Sequence, residues 1–370
     1  MKFKLEKQDF LNLLSRVQSI VEKRNTMPIL VNVLMEAKKD SLTLYATNLE
    51  VSVIASKNAK IENEGKAVIN AKNLFDIVKE LNNDLIEIEK QSNEWLKVTQ
   101  GKSVFNMVGI KPEEFPVFPT LNSNNFIKMD SHLFRDMIEK TIFCVSHDET
   151  RYHLNGVFLE KTDANDIRMV ATDGHRLSLV TRTSDDNIKL DNISSGIIIP
   201  RKGLYEIKKL LESADGNFDL TIEGAQLVIK HSDTVLMIRL IEGKYPNYKQ
   251  LIPQKLQKDI KVRKELLQAS LKRVSLLSNQ KSKGVTLAFK NNKMEITSNN
   301  PELGDAKEEI EVDYKGEAFK IGFNAKYILD VLSSIKDEEI SMELKDQLSP
   351  GLMKPTSDSE FKCVIMPMRI

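Results

Sequence analysis

Apolar residues recur at i, i+3, i+4 and i+7 in several places along this chain, and alternation fills much of the remainder. Phe10, Leu13, Leu14 and Val17 form one stripe, Phe134, Met137, Ile138 and Thr141 a second, and Leu267, Ser270, Leu271 and Val274 a third. A stripe of that width predicts a helix lying with one side on a sheet. A further set of helices carries Leu74, Ile77, Val78 and Leu81, then Leu204, Ile207 and Leu211 with Lys208 breaking one edge, then Ile328, Val331, Leu332 and Ile335. Residues 42–46, 51–54, 227–229 and 235–238 have period-two or β-branched character, which predicts strands.

The helices come in related sets. Leu74-Phe75-Asp76-Ile77, Leu204-Tyr205-Glu206-Ile207 and Ile328-Leu329-Asp330-Val331 start 130 and 124 positions apart. Leu42-x-Leu44-x-Ala46-Thr47-Asn48, Ile167-x-Met169-x-Ala171-Thr172-Asp173 and Met294-x-Ile296-x-Ser298-Asn299 keep nearly the same period and the same order. Two patterns in one phase indicate a triplicated chain. The expected fold class is α+β: three tandem repeats, each of two βαβββ-like halves with helices on one face of antiparallel sheet. Glu114-Phe115-Pro116-Val117-Phe118 and Lys244-Tyr245-Pro246-Asn247-Tyr248 read as proline-bearing linkers, giving domains 1–123, 124–253 and 254–370.

Composition changes the picture little. With 41% hydrophobic and 29% charged residues, each repeat can bury an ordinary core. Cys144 and Cys363, the only cysteines, make neither a disulfide framework nor a zinc cluster and point to a reducing compartment. The alternating start Met1-Lys2-Phe3-Lys4-Leu5 lacks a signal-peptide core, and no apolar run is long enough to span a bilayer, so a cytoplasmic protein is expected.

Charge adds more. A net charge of +1 excludes a globally basic chain but not a basic face. Lys72 and Lys79 fall opposite the apolar stripe of their helix; Lys202 and Lys209 occupy the same positions in the second repeat, and Lys326 in the third, where Ser333 replaces the other lysine. Arg16, Lys140 and Arg273 share one position on the flank of the first helices, and acidic residues such as Glu308, Glu309 and Glu311 collect elsewhere. Any single exposed lysine serves solubility. A recurrent one points to a polyanion, bound through phosphate charge rather than base sequence, and so to non-specific duplex DNA.

These residues lead to a resemblance covering essentially the whole chain. Lys2-Phe3, Pro28-Ile29-Leu30, Arg151-Tyr152-His153-Leu154-Asn155-Gly156, Thr172-Asp173-Gly174-His175-Arg176-Leu177, Ile199-Pro200-Arg201-Lys202-Gly203, Asn299-Asn300-Pro301-Glu302 and Val364-Ile365-Met366-Pro367-Met368-Arg369 resemble the bacterial sliding-clamp family, the beta subunits of DNA polymerase III. The resemblance implies the DNA clamp, or processivity, fold: a head-to-tail homodimeric ring around double-stranded DNA, helices inside and sheets outside, with no cofactor and no catalytic residue. It implies DNA-facing positions at Arg24, Lys72, Lys79, Arg151, Tyr152, His153, Arg201 and Lys202, to which the repeat adds Lys209. Asp148 stands where familiar members have glutamine, and it would repel phosphate unless paired with Arg151.

The family also implies a groove for linear motifs of the polymerase III alpha subunit, the clamp loader, other polymerases and repair proteins. By position it comprises Leu154, Thr172, Gly174, His175, Arg176, Leu177, Pro246, Leu251, Val364, Met366, Pro367, Met368 and Arg369, its methionines suited to varied peptides. Arg176 or Arg369 is expected near the peptide's polar groups. The tail is expected to leave its strand at Pro367, which cannot donate to a ladder. Gln250, in place of a basic residue, and the divergent 348–353 stretch point to a shifted motif preference. The dimer interface is expected to set Phe105 and Met107 against Leu276 and Leu277, with Lys102 facing the acidic run near Glu308.

Other readings are weaker. Asp173, His175 and Ser178 lack the strained turn and oxyanion site of a hydrolase. The spacing of His147, Asp148 and His153 suits no zinc pattern, and Cys144 lies in an apolar run that indicates burial. Trp95 is expected to anchor a strand. A nucleotidyl-transfer enzyme would need paired metal-binding carboxylates. A repeat scaffold binding only proteins would leave the lysines unexplained.

Overall fold

The structure, a computed structural model, describes residues 1–21, 27–118, 125–164, 166–183, 196–212, 214–254 and 256–369. Six halves follow one another. The first repeat holds β1 (Lys2–Glu6), α1 (Lys7–Gln18), β2 (Asn32–Lys38), β3 (Ser41–Thr47) and β4 (Val51–Asn58), then a short β5 (Lys60–Asn63), β6 (Gly65–Asn70), α2 (Ala71–Glu80), β7 (Leu85–Lys90), β8 (Leu96–Gln100) and β9 (Ser103–Met107). The second holds β10 (Ile127–Asp130), α3 (Ser131–Glu139), β11 (Gly156–Lys161), β12 (Ile167–Thr172) and β13 (Arg176–Arg182), then β14 (Ile197–Pro200), α4 (Arg201–Leu211), β15 (Asn217–Glu223), β16 (Gln226–His231) and β17 (Thr234–Arg239). The third holds β18 (Lys258–Arg263), α5 (Lys264–Val274), β19 (Gly284–Lys290), β20 (Lys293–Asn300) and β21 (Gly304–Glu311), then β22 (Phe319–Asn324), α6 (Ala325–Ser334), β23 (Glu339–Leu344), β24 (Gly351–Pro355) and β25 (Phe361–Ile365). Six βαβββ halves are what the periodicity predicts.

Local chemistry explains where the second helices start. Asn70 and Asn324 close β6 and β22 in extended backbone, and their side chains accept from the N–H groups of Asn73 and Lys326 at 2.9 Å. An N-cap of this kind satisfies a donor that the helix itself leaves orphaned. The first-helix stripes are buried as expected. Thr141 lies just beyond α3, where its Oγ1 donates to the Met137 carbonyl at 2.8 Å. Trp95 departs from expectation, sitting more than a third exposed in the turn before β8 rather than within a strand.

The helices pack over four antiparallel sheets whose strand orders run β5-β1-β7-β8-β9, β10-β15-β16-β17-β4-β3-β2-β6, β14-β11-β12-β13-β25-β24-β23-β18 and β21-β20-β19-β22. Each repeat thus shares its strands between two sheets. The last strand of one half pairs with the last strand of another: β17 with β4, and β25 with β13. Compaction follows the sheets rather than the repeats. Residues 1–135 with 202–240 form one compact unit around the first two sheets, and residues 136–201 with 241–370 form another around the last two.

The two seams share a register. Val53 faces Leu236 and Ala55 faces Thr234 in one; Ser178 faces Cys363 and Val180 faces Phe361 in the other, all deeply buried. Counting from β3, β12 and β20 places Ala306 and Glu308 of β21 at the positions of Val53 and Ala55. Counting from β8, β16 and β24 places Phe105 of β9 at the position of Leu236 and Cys363. Yet among the described residues β9 and β21 end their sheets without a neighbour, and Phe105 and Val104 are exposed.

The expected linkers are packed segments. Phe115 is buried and stacks on Phe118, whose ring meets Tyr45 edge-on at 5.2 Å. Tyr245 and Tyr248 are buried as well.

Candidate functional site

On α2, Ala71, Leu74 and Val78 face the core, leaving Lys72 and Lys79 exposed on the other side. Lys202 on α4 is half-buried and Lys209 exposed, its Nζ donating to the Ser15 carbonyl at 3.0 Å. The expectation that acidic residues collect elsewhere needs correction. Lys72 pairs with Asp76 one turn on, and Lys326 lies 3.4 Å from Asp330 at the equivalent positions. Glu206 fills the same site on α4 and accepts from the Ser19 hydroxyl at 2.8 Å. These helix faces therefore carry lysines interleaved with carboxylates, and exposed i,i+4 pairs of this kind contribute only a few tenths of a kcal/mol, roughly 0.3–0.5.

The shared position of Arg16, Lys140 and Arg273 also has a different use from the one expected. Arg16 donates to Thr234 Oγ1 at 2.7 Å, across one sheet seam. Lys140 pairs with Asp358 at 3.2 Å and lies over the Phe361 ring, at the other. Arg273 holds Glu308 of β21. Arg16 and Lys140 serve sheet seams, and Arg273 serves the edge strand β21. Arg24 falls outside the described residues.

Asp148 caps a 3₁₀ turn spanning Glu149–Leu154. Its carboxylate accepts from the Thr150 hydroxyl at 2.6 Å, the Thr150 N–H at 3.0 Å and Arg151 Nε at 2.9 Å, and these bonds hold its pKa below the ordinary range. The pairing with Arg151 that would spare a phosphate from repulsion is thus present. Arg151 also lies over Gly174, where φ is +89° and a Cβ would meet its guanidinium at 2.7 Å, so this turn requires glycine. Tyr152 is exposed beside His153, and Arg201 donates to His147 Nε2 at 2.7 Å. Burial and then the Arg201 charge lower the His147 pKa.

The same turn ends in Leu154, which points the other way. Leu154, Val170, Leu177, Leu179, Ile198, Tyr245, Tyr248, Leu352 and Val364 form one apolar cluster, flanked by half-buried Phe158, Ile241, Ile252 and Leu256. Phe158 stacks on Tyr245 at 4.9 Å. The Thr172 N–H donates to the Tyr245 hydroxyl at 3.1 Å, and Arg168 donates to the Tyr248 hydroxyl at the same distance. Tyr248 also donates to Glu160; its pKa is pushed up to about 12, first by burial and then by that carboxylate.

Of the expected groove residues, Leu154, Leu177 and Val364 meet in this cluster. Thr172 is buried nearby with its hydroxyl donating to the Arg176 carbonyl, Pro246 is half-buried between the two tyrosines, and His175, Leu251, Met366 and Arg369 are exposed. Sequence reasoning missed Val170, Leu179, Ile198, Tyr245, Tyr248 and Leu352. Part of the signal was there: β12 places Met169, Val170 and Ala171 side by side, which marks a strand covered on both faces, whereas β13 mixes Leu177, Leu179 and Val180 with polar residues.

The structure adds detail at two of these positions. Arg176 is buried, bound to Asp173 at 3.0 Å, Asp330 at 2.6 Å and the Phe143 carbonyl at 2.6 Å, with its guanidinium 4.5 Å above the Tyr327 ring. It ties α6 to the Gly174 turn. The tail does leave β25, but it continues across. The Met366 N–H donates to the His175 carbonyl at 2.9 Å, and the Met368 N–H donates to Gly322 of β22 at 2.8 Å, placing Met368 on the fourth sheet beside Gly284.

The catalytic readings find no support in the geometry. Ser178 is fully buried, bonded to the Lys140 carbonyl and near Cys363, while His175 faces outward. Cys144 is buried with its thiol pKa raised by that burial, and Cys363 is raised to about 12 for the same reason. Among the described residues, no group of three or more His, Cys, Asp or Glu is placed to hold a metal, and no helix is long and apolar enough to cross a membrane.

Three repeats of two βαβββ halves, joined through sheet seams and carrying lysine-bearing helix faces and an apolar cluster, define the architecture of a clamp. Comparison with known proteins agrees. Residues 1–119, 128–247 and 249–369 match the N-terminal, central and C-terminal domain models of the DNA polymerase III beta subunit, and the chain belongs to that family. The beta sliding clamp of Caulobacter vibrioides is 34% identical and that of Escherichia coli 31%, each covering 100% of both chains. A solved DnaN sliding clamp from Bartonella birtlesii bound to griselimycin is 30% identical with a TM-score of 0.95, again over 100% of both chains.

Breaking the Arg176 node tests this brace. Arg176→Ala leaves Asp173 without its cation and Asp330 with Lys326 alone, and removing one partner of a buried pair costs about 3 kcal/mol. Thermal unfolding should therefore move clearly downward. Arg176→Lys should recover little, because one ammonium cannot replace three directed contacts.

Proposed function

We propose that two copies of this chain close head to tail into a ring around duplex DNA, with β9 of each copy pairing with β21 of the other. The single observation carrying this reading is the unfinished pattern of seams. Two junctions are zipped within the chain, and the two strands left over are the ones that a third junction of the same kind requires. A head-to-tail contact that closes on itself makes a ring. In the register of the existing seams, Phe105 falls opposite Ala306 and Met107 opposite Gly304, with Leu276 and Leu277 in the turn after α5 adding apolar cover.

As a member of the beta sliding-clamp family the chain is a non-catalytic processivity factor: it holds a polymerase on DNA and performs no chemistry. A closed ring retains DNA by topology, so contacts can stay weak and unspecific. Lys72, Lys79, Lys202, Lys209, Arg201, Arg151, Tyr152 and His153 are our assignments for that contact. Carboxylates interleaved among the lysines suit it, because a fully positive lining would grip phosphate and slow sliding. The domain limits follow the repeats, at 1–123, 124–253 and 254–370, and the chain works in the cytoplasm.

The groove around Leu154, Leu177, Tyr245, Leu352 and Val364 is assigned to linear motifs of the polymerase and its loader. Its apolar floor and hydroxyl rim match a peptide with aliphatic or aromatic anchors and a glutamine.

Three measurements test this reading. Leu277→Asp places a charge in an apolar interface core; sedimentation should then show monomers that are not retained on circular DNA, and a stable dimer would move the interface elsewhere. Replacing Lys72, Lys79, Lys202 and Lys209 with alanine should flatten the salt dependence of DNA binding, by about 0.9 in log–log slope for each phosphate that is no longer neutralised. Removal of residues 366–370 should leave the dimer intact and abolish capture of a motif peptide in fluorescence anisotropy; undiminished peptide affinity would remove the tail from the groove.

A further inference from the structure

On the far side of the tail from the groove, the outer face of the fourth sheet holds a trough of about 470 Å³. Side chains alternate along β19, β20 and β22, and Leu287, Ile296 and Ile321 are buried on the side that α5 and α6 cover. The opposite side is small and hydroxylated. Gly322, Thr286, Thr297 and Lys307 are register partners in one row across the four strands, and Gly284 precedes Thr286 by two residues on the same face.

The tail is the wall between trough and groove. Val364 lies in the apolar cluster, the Met366 N–H donates to the His175 carbonyl at 2.9 Å, and the Met368 N–H donates to the Gly322 carbonyl at 2.8 Å. Met368 lies over Gly284, where a Cβ would meet its Cε at 3.6 Å. Four residues of extended chain span roughly 14 Å. A peptide seated on Leu177 and Val364 that crosses beside Met366 therefore enters the trough within about four residues of its last anchor. The chemistry changes on the way. In place of an apolar pit, the trough offers two threonine hydroxyls and the Asn299 amide, with Arg369 at the tail end and Asp305 on the far strand. Among the described residues, neither threonine hydroxyl nor the Arg369 guanidinium has a protein partner.

We propose that this trough docks the polar flank of the same linear motifs whose apolar anchors enter the groove, taking an acidic residue at Arg369 and short polar residues along Thr286 and Thr297. The proposal rests on the groove reading above. Two glycines keep the floor low enough for an extended segment to lie flat, and the hydroxyls can donate or accept along it. A carboxylate next to the anchors completes Arg369 with a charge-assisted bond. Asp305 at the far end repels a longer acidic run, and a basic flank meets Arg369 as a like charge. The anchors thus decide that a partner is held, and the flank discriminates among partners.

Fluorescence anisotropy with the full chain tests this. The probes are a short motif peptide with a glutamine and leucine and phenylalanine anchors, and the same peptide extended at one end or the other by one aspartate, next to the motif, and three serines. Matching extensions carry lysine for aspartate. One of the two acidic extensions should bind about fivefold tighter than the short peptide, and the lysine versions should not. Thr286→Tyr and Thr297→Tyr fill the trough with a side chain that suits a strand. Both should keep the affinity for the short peptide and lose the gain from the extension, with circular dichroism confirming the fold. Equal affinities for the short and both acidic peptides, a gain that survives in both variants, or the same gain from lysine would each overturn the inference while the groove stands. A short peptide that does not bind the wild-type chain overturns the groove reading and this inference with it.

Discussion

Edge-to-edge closure of sheets is the constraint on which the rest of this molecule depends. A backbone N–H buried without a partner costs about as much as a missing hydrogen bond, so where the end of a βαβββ half is buried its last strand must be paired. Pairing β4 with β17 and β13 with β25 solves this twice within the chain. The solution sets everything nearby: which side chains are buried at the seams, where Arg16 and Lys140 must reach, and why compact units run across repeat boundaries. It also leaves β9 and β21 as edges with half-finished surfaces, Phe105 exposed on one and Glu308 turned inward on the other.

The groove grows from the second seam. Because β25 lies against β13, Val364 comes beside Leu177, and Leu352 of β24 is carried in one strand further on. The Tyr245–Tyr248 segment then covers the outer side of β11 and β12, with hydroxyls held by the Thr172 N–H, Arg168 and Glu160. Leu154 ends the turn whose first residues, Asp148 and Arg151, sit at the surface proposed to meet DNA. Arg151 lies against Gly174, and Arg176 holds Asp173 of the same turn to Asp330.

Periodicity by itself determined the six helices, the βαβββ order and the triplication. A buried face must repeat at the pitch of its element, and three copies of one pattern leave the same spacing three times. The motifs that carry the family resemblance pointed to Leu154, Leu177 and Val364, which meet in one apolar cluster. The partnerships of charges were decided only by tertiary structure. Arg16, Lys140 and Arg273 look like one basic feature along the chain, but each meets what the neighbouring strand supplies: a hydroxyl at Thr234, a carboxylate and ring at Asp358 and Phe361, and Glu308 on its own sheet. Arg176 sits inside a surface motif yet is buried by Asp330 from 154 residues away. Such contacts depend on which strand ends beside which, and long-range register is not written into local spacing. The tyrosines of the second linker show the same division: their proline and spacing mark a connection, while packing on the outer faces of β11 and β12 decides that this connection becomes a wall.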